Sequence, residues 1–334
     1  MSSSRIAPLV LLLGCFFPAV LIGQPAGQEP PPVAAKPRTS PAVPAKADLS
    51  LQPPRGVKYV QDLTYRETDK GLLQLDIAYP AKGNGPFPVV FILHGSGITK
   101  GRKANVPLAF QLALTGYVGV AVTYRHKPED PYPTAIEDAW AAVRWVRENA
   151  GEYKIDPKRI AALGYSGGGS VACLLGMTED PLRAKDAPST RVQAVAAYYP
   201  LTDLARLHDD ARKGRLGAAG TWFIQPSLEK WLGGTPEQVK DRYAAASPVT
   251  HVHEKMAPTL LLHGADDKLV PAEQSQLLAD RAAVKGGKVT LLLLPGAGHL
   301  FDERNDENTW LAAQMVQAFL DRYLRASSLR IAER

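Results

Sequence analysis

Three kinds of residue in this chain stand where, brought together, they would cleave an acyl bond: a serine, a pair of aspartates and a histidine. The serine lies in Gly164-Tyr165-Ser166-Gly167-Gly168, between the apolar run Ile160-Ala161-Ala162-Leu163 and the helix-like run Val171-Ala172-Cys173-Leu174-Leu175. A serine on a strand-to-helix turn is held exposed and strained, and glycines on both sides leave room for that backbone. Ser166 is therefore a candidate nucleophile. The alternative is a glycine-rich turn with an incidental serine, and only partners elsewhere in the chain distinguish the two.

A serine hydroxyl attacks poorly until a general base takes its proton, and that base needs an acid to hold its tautomer. On a sheet of alternating strands and helices the partners follow in the order serine, acid, histidine, each on a loop after a strand. After the apolar run Leu260-Leu261-Leu262 comes His263-Gly264-Ala265-Asp266-Asp267-Lys268-Leu269-Val270-Pro271, and after Leu291-Leu292-Leu293-Leu294 comes Pro295-Gly296-Ala297-Gly298-His299. Of seven histidines, His94 precedes the serine, His126 sits after a strand and could approach the site but also comes before the serine, and His263 precedes the acids. His208, His251 and His253 fall within or beside an irregular stretch. His299 remains as the base, and the others are expected in structural or solvent-exposed roles. Asp266 and Asp267 are adjacent and point to different sides, so only one can reach His299; chemistry alone does not choose between them.

These groups need a scaffold, and the pattern of apolar residues supplies one. Residues 57–66 and 72–79 alternate apolar and polar around Asp69-Lys70-Gly71, which reads as a hairpin at an antiparallel edge. Pro88-Val89-Val90-Phe91-Ile92-Leu93 is continuously apolar, as a strand buried on both faces must be, and runs into His94-Gly95-Ser96-Gly97. Further strands are expected over 117–122, 159–163, 192–198, 259–262 and 289–294. Helices are expected over 106–115, from a capping box at Thr134-Ala135-Ile136-Glu137 to about Asn149, and from about Thr309 to Leu324. Short apolar strands alternating with helices predict an α/β fold, a mostly parallel sheet covered on both faces. Residues 202–252 break the alternation; they read either as a partial lid over the carboxyl edge of the sheet or as a surface excursion.

Taken together, His94-Gly95-Ser96-Gly97, Gly164-Tyr165-Ser166-Gly167-Gly168, the His263 to Pro271 segment and Gly298-His299 resemble the α/β-hydrolase superfamily. The nearest likeness is to its carboxylesterases of the hormone-sensitive-lipase and bacterial feruloyl or acetylxylan esterase type. The segment Tyr124-Arg125-His126-Lys127-Pro128-Glu129-Asp130-Pro131-Tyr132-Pro133, with Glu137-Asp138 after it, resembles the same esterases. The likeness spans about residues 56–326. It implies that the triad acid is the residue three before the valine of the H-G-x-x-D-x-x-V-P segment, which is Asp267, and that backbone N–H groups of Gly95, Ser96 and Gly167 form an oxyanion hole. The family's usual H-G-G-G is here His94-Gly95-Ser96-Gly97, and a serine still supplies a backbone N–H. The implied activity is ester hydrolysis through an acyl-enzyme, on small esters or acylated polysaccharide, with no metal or organic cofactor. A serine peptidase and a catalytically inactive binding homologue are the alternatives. The peptidases usually carry a large additional domain for which 56–326 leave no room, and inactive homologues commonly lose a triad member.

The rest of the composition narrows partners and compartment. Of the formal charge of +6, half arises in the first 55 residues, where Arg5, Lys36, Arg38, Lys46 and Arg55 face only Glu29 and Asp48. No Lys/Arg block remains of the kind nucleic acid requires. Met1-Ser2-Ser3-Ser4-Arg5 followed by an uncharged apolar stretch to Gly23 has the form of a secretory signal, expected over 1–23. A retained anchor, or lipidation at Cys15 in Leu12-Leu13-Gly14-Cys15, is the alternative and would be the only route to a membrane. Residues 24–55 turn to Pro, Ala, Gln and Lys and read as a linker, while 327–334 read as a tail. The two cysteines are Cys15 and Cys173, so a mature form lacking the signal has no internal disulfide, which favours the bacterial cell envelope. Cys173 is expected as a buried packing thiol.

Overall fold

The computed structural model describes residues 51–95, 101–126 and 128–325. The expected signal, nearly all of the linker and the C-terminal tail lie outside them. Leu51, within the stretch read as linker, packs against the core.

Eight strands form one sheet: β1 (Val57–Thr68), β2 (Gly71–Pro80), β3 (Phe87–Leu93), β4 (Val118–Val122), β5 (Ile155–Tyr165), β6 (Ala194–Tyr198), β7 (Thr259–Gly264) and β8 (Val289–Leu294). Their order is β1-β2-β4-β3-β5-β6-β7-β8. β1 and β2 pair antiparallel, as does β2 with β4, and every other pair is parallel. This is the expected antiparallel edge on a parallel sheet, the α/β-hydrolase arrangement. Successive side chains of a strand point to opposite faces. Accordingly Val89, Phe91 and Leu93 of β3 join one apolar cluster, while Val90 and Ile92 join the other. Burial of each such side chain contributes about 1.5–3 kcal/mol, which is why central strands have no polar face.

On the first face lie α2 (Thr134–Glu148), α3 (Gly167–Met177) and α7 (Glu273–Lys285); on the second lie α1 (Val106–Leu114) and α8 (Glu307–Leu320). Cys173 is fully buried on α3, and burial pushes its thiol up to about 12, well outside the reactive range. Two helix starts differ from expectation. The turn at Pro131 to Pro133, in which Thr134 N donates to the Pro131 carbonyl, starts α2 with Pro133 as its cap. Thr134 is already helical there and makes no capping-box bond. At α8 the cap is Asp306, whose carboxylate accepts from the Thr309 amide while the Thr309 hydroxyl accepts from the Asp306 amide. That helix therefore begins two residues before Thr309. It ends at Leu320, and a wider turn covers Asp321–Arg325.

The irregular stretch 202–252 holds three helices, α4 (Leu204–Arg212), α5 (Ala218–Leu232) and α6 (Lys240–Ala246). They make a third apolar cluster of their own, with Leu207, Leu228, Leu232 and Tyr243 at its centre and Val270 from the loop after β7 packed into it. His208 on α4 bonds Glu229 on α5 at 2.7 Å and clips the two helices together.

Candidate active site

Three loops at the carboxyl ends of β5, β7 and β8 converge on one point. Ser166 sits between β5 and α3 with φ 53° and ψ −122°, a conformation that costs a non-glycine residue about 1–3 kcal/mol. The surroundings hold it there. Its amide donates to the Tyr198 carbonyl of β6 at 2.9 Å. A Cβ on Gly164 would stand 2.1 Å from the Gly168 carbonyl oxygen, and one on Gly168 would stand 2.3 Å from that of His94. Only glycine lets β5, β3 and the start of α3 approach this closely.

The Ser166 Oγ lies 3.2 Å from Nε2 of His299, and Nδ1 of the same ring lies 2.7 Å from Oδ2 of Asp267. The other oxygen, Oδ1, accepts from the amides of Leu269 and Val270, each at 2.9 Å. Burial alone would raise the Asp267 pKa. Hydrogen bonds from His263 and His299, with the Val270 amide, overcome it and hold the carboxyl well below the usual range, so it stays ionised. Asp266 is exposed and contributes its amide to the Ala297 carbonyl. The structure thus separates the adjacent aspartates by the turn they occupy.

Two further residues support the triad. His263 is fully buried, with Nδ1 2.7 Å from the Ser275 hydroxyl and Nε2 2.8 Å from the Val270 carbonyl. With the serine donating to Nδ1, the Nε2–H points at Val270 and, at 3.4 Å, toward Asp267 Oδ2. Its place four residues before Asp267, in the segment His263 to Pro271, is the sequence signal for it. Tyr199, at a positive φ of 38°, sets its ring, tilted by 53°, 4.3 Å from that of His299 and donates its hydroxyl to Asp302.

Gly167 is the first residue of α3, where a backbone N–H has no helical acceptor and the helix dipole favours negative charge. Gly95 follows the end of β3, and the contact of His94 with Gly168 sets that segment against the start of α3. Tyr124 donates its hydroxyl to the His94 carbonyl and fixes it further. Ser96, the third residue expected at the oxyanion hole, lies outside the described residues.

Beside the serine opens a small, partly open cleft lined by Gly167 and Ser170 of α3, Leu201 and Leu204, and the inner face of α5. His126, which the sequence reading assigned a structural or exposed role, lines it and is buried. His94 bonds the Gly95 carbonyl, while His251 and His253 bond the carbonyls of Ala245 and Met177.

LipM of Mycobacterium tuberculosis, named a probable carboxylic ester hydrolase, is 33% identical over 243 residues, covering 71% of this chain and 54% of that protein. Esterase LipC of the same organism is 30% identical over 248 residues, covering 72% and 60%. The chain thus spans between about half and three fifths of these relatives' lengths. Among solved structures, a thermophilic esterase of the planctomycete Thermogutta terrifontis superposes with a TM-score of 0.64 at 26% identity, covering 82% of this chain and 96% of that one. The same enzyme phosphonylated by sarin gives 0.66, at 26% identity with 81% and 97% covered. The BD-FAE family model matches residues 75–282, a span that takes in Ser166, Asp267 and the residues lining the cleft, and the chain belongs to that family.

Proposed function

We propose that this protein is a serine-dependent carboxylic ester hydrolase that works through an acyl-enzyme. The observation that carries the reading is the continuous chain of contacts from Ser166 Oγ to His299 Nε2 at 3.2 Å and from His299 Nδ1 to Asp267 at 2.7 Å. His299 accepts the serine proton as Oγ attacks the ester carbonyl. Asp267, ionised, holds the Nδ1–H and stabilises the imidazolium that forms. The oxyanion is met by N–H groups at the start of α3, Gly167 first, with Gly95 and Ser96 on the opposing loop. Losing one such donor is expected to cost about 3 kcal/mol in the transition state. His299 returns the proton to the leaving alkoxide, water then adds to the acyl-enzyme with the proton again passing to His299, and the acid leaves as Ser166 recovers its proton.

Small esters are the substrates this reading favours, acylated polysaccharide being one natural source. The helices α4 to α6 act as a partial lid, since α5 walls the cleft beside the serine. Residues 1–23 direct the chain to the bacterial envelope or beyond; deleting them should leave the protein in the cytosol on cell fractionation. The decisive experiment is Ser166→Ala. It is expected to abolish hydrolysis of p-nitrophenyl acetate with an unchanged circular-dichroism spectrum, and retained activity overturns the assignment.

A further inference from the structure

The cleft beside Ser166 is walled by Leu201, Leu204, Phe223, Ile224 and Leu228, yet two polar side chains stand in that apolar wall. No hydrogen bond of good geometry reaches either ring nitrogen of His126 or the indole Nε1 of Trp231 among the described residues, although the Gly167 backbone interacts with the imidazole; all three atoms are fully buried. His126 is only 7% exposed. The two rings meet edge to face with centroids 5.5 Å apart, and both residues line the cleft.

A buried donor or acceptor left unpaired costs about 1–3 kcal/mol, and such a cost persists at sites that a ligand completes. The surrounding structure maintains the arrangement. Arg125 donates three times to the fully buried Asp138 carboxylate, which also takes a bond from Arg66, and this anchors the backbone immediately before His126. Tyr124 stacks on the imidazole from one side, and Tyr132 packs edge-on against Trp231. The Tyr132 amide donates to the Trp231 carbonyl, tying α5 to the same loop.

The protonation state of His126 defines the ligand. Burial drives its pKa down to about 3, with nearby His94 adding to the fall and Asp130 and the Gly167 backbone opposing it. The ring is neutral at physiological pH and offers one N–H donor and one bare nitrogen acceptor. Trp231 adds a second N–H donor. None of the cleft's described lining residues is charged, so a carboxylate or ammonium would enter without compensation. A carbonyl oxygen could only accept. A hydroxyl matches the set, donating to the bare nitrogen of His126 while accepting from the indole N–H.

We propose that this cleft, taking the ester-hydrolase reading as its basis, binds the arm of the ester substrate and selects one that carries an uncharged hydroxyl group, recognised by His126 and Trp231. A site built to bond a hydroxyl rejects the analogue that lacks it, because its own polar groups then stay unpaired.

The test compares kcat/KM within matched pairs. p-Nitrophenyl esters of C4 to C8 acids, with and without a terminal hydroxyl, probe the acyl arm; C4 to C8 alkyl acetates, with and without a terminal hydroxyl, probe the alcohol arm. The wild-type protein is expected to favour the hydroxylated member of one series by about tenfold or more at its best length, which also identifies the arm. In His126→Leu and in Trp231→Phe that ratio should fall toward one, and His126→Gln, which keeps a donor and an acceptor, should retain part of it. Because each ratio is taken within one protein, loss of folded enzyme does not change it. Equal rates for both members of every pair, or an unchanged ratio in the Leu and Phe variants, overturn this proposal and leave the ester-hydrolase reading standing. Hydrolysis of no ester at all overturns both.

Discussion

The ring of Tyr199 lies against that of His299, centroids 4.3 Å apart, and the Tyr199 hydroxyl is held at 2.5 Å by Asp302, two residues beyond His299's own loop neighbour Leu300. One bond therefore clamps the loop that carries the base onto the end of β6. Burial raises the Asp302 pKa, an effect the Tyr199 hydrogen bond opposes. Removing that donor in Tyr199→Phe leaves a partly buried carboxylate short of a partner and should cost about 1 kcal/mol near neutral pH. The cost should shrink as pH falls and Asp302 takes up a proton. Thermal melts of both proteins between pH 7 and 4 measure it.

Asp267 and Asp266 separate cleanly by activity. Asp267→Asn removes the charge that holds the His299 tautomer and should lower kcat by about 10⁴. Asp266→Asn alters an exposed side chain and should leave kcat within about twofold. Steady-state kinetics on p-nitrophenyl acetate give both values.

The same carboxylate contributes to acid sensitivity. Its folded pKa lies below its unfolded value near 3.8, so the folded state binds fewer protons as pH falls. The stability it supplies is complete above the unfolded value and is lost as pH drops below about 4. Asp267→Asn should flatten the unfolding free energy against pH in that acidic range, as measured by urea titration.

His126 acts in a separate window. Its pKa falls from 6.5 to about 3 on folding, so between these values the unfolded chain binds the extra proton and stability rises with pH. A full shift contributes up to about 1.4 kcal/mol per pH unit. His126→Leu should reduce the slope of stability between pH 4 and 6.5, a range above that of Asp267. Urea midpoints at half-unit intervals of pH resolve the difference.

The glycines around Ser166 admit no side chain. Gly168→Ala places a Cβ 2.3 Å from one backbone carbonyl oxygen and 2.5 Å from another, neither of which can rotate away. A loss of about 3 kcal/mol is expected, seen as a lower melting temperature, with weakened activity even in the folded fraction.

The amino-acid order by itself was enough for the sheet and for choosing Ser166 and His299 as the candidates that the structure brings to 3.2 Å of one another. Continuous apolar runs cannot sit at a wet face, and only one histidine follows both the serine and the acids on a loop after a strand. Those are local or ordinal properties, and they survive without coordinates. The aspartate was a different matter. Asp266 and Asp267 are chemically the same, and the turn after β7 decides between them by giving one the amides of Leu269 and Val270 and leaving the other in water. The capping-box pattern at Thr134 failed for a similar reason, because the turn at Pro133 moved the helix start by one residue. Tyr199 and Trp231 left no spacing to read, because their side chains meet their neighbours only after β6 and α5 have packed. His263, four residues before Asp267, and His126, on the loop after a strand, were legible in position, while their contacts were not.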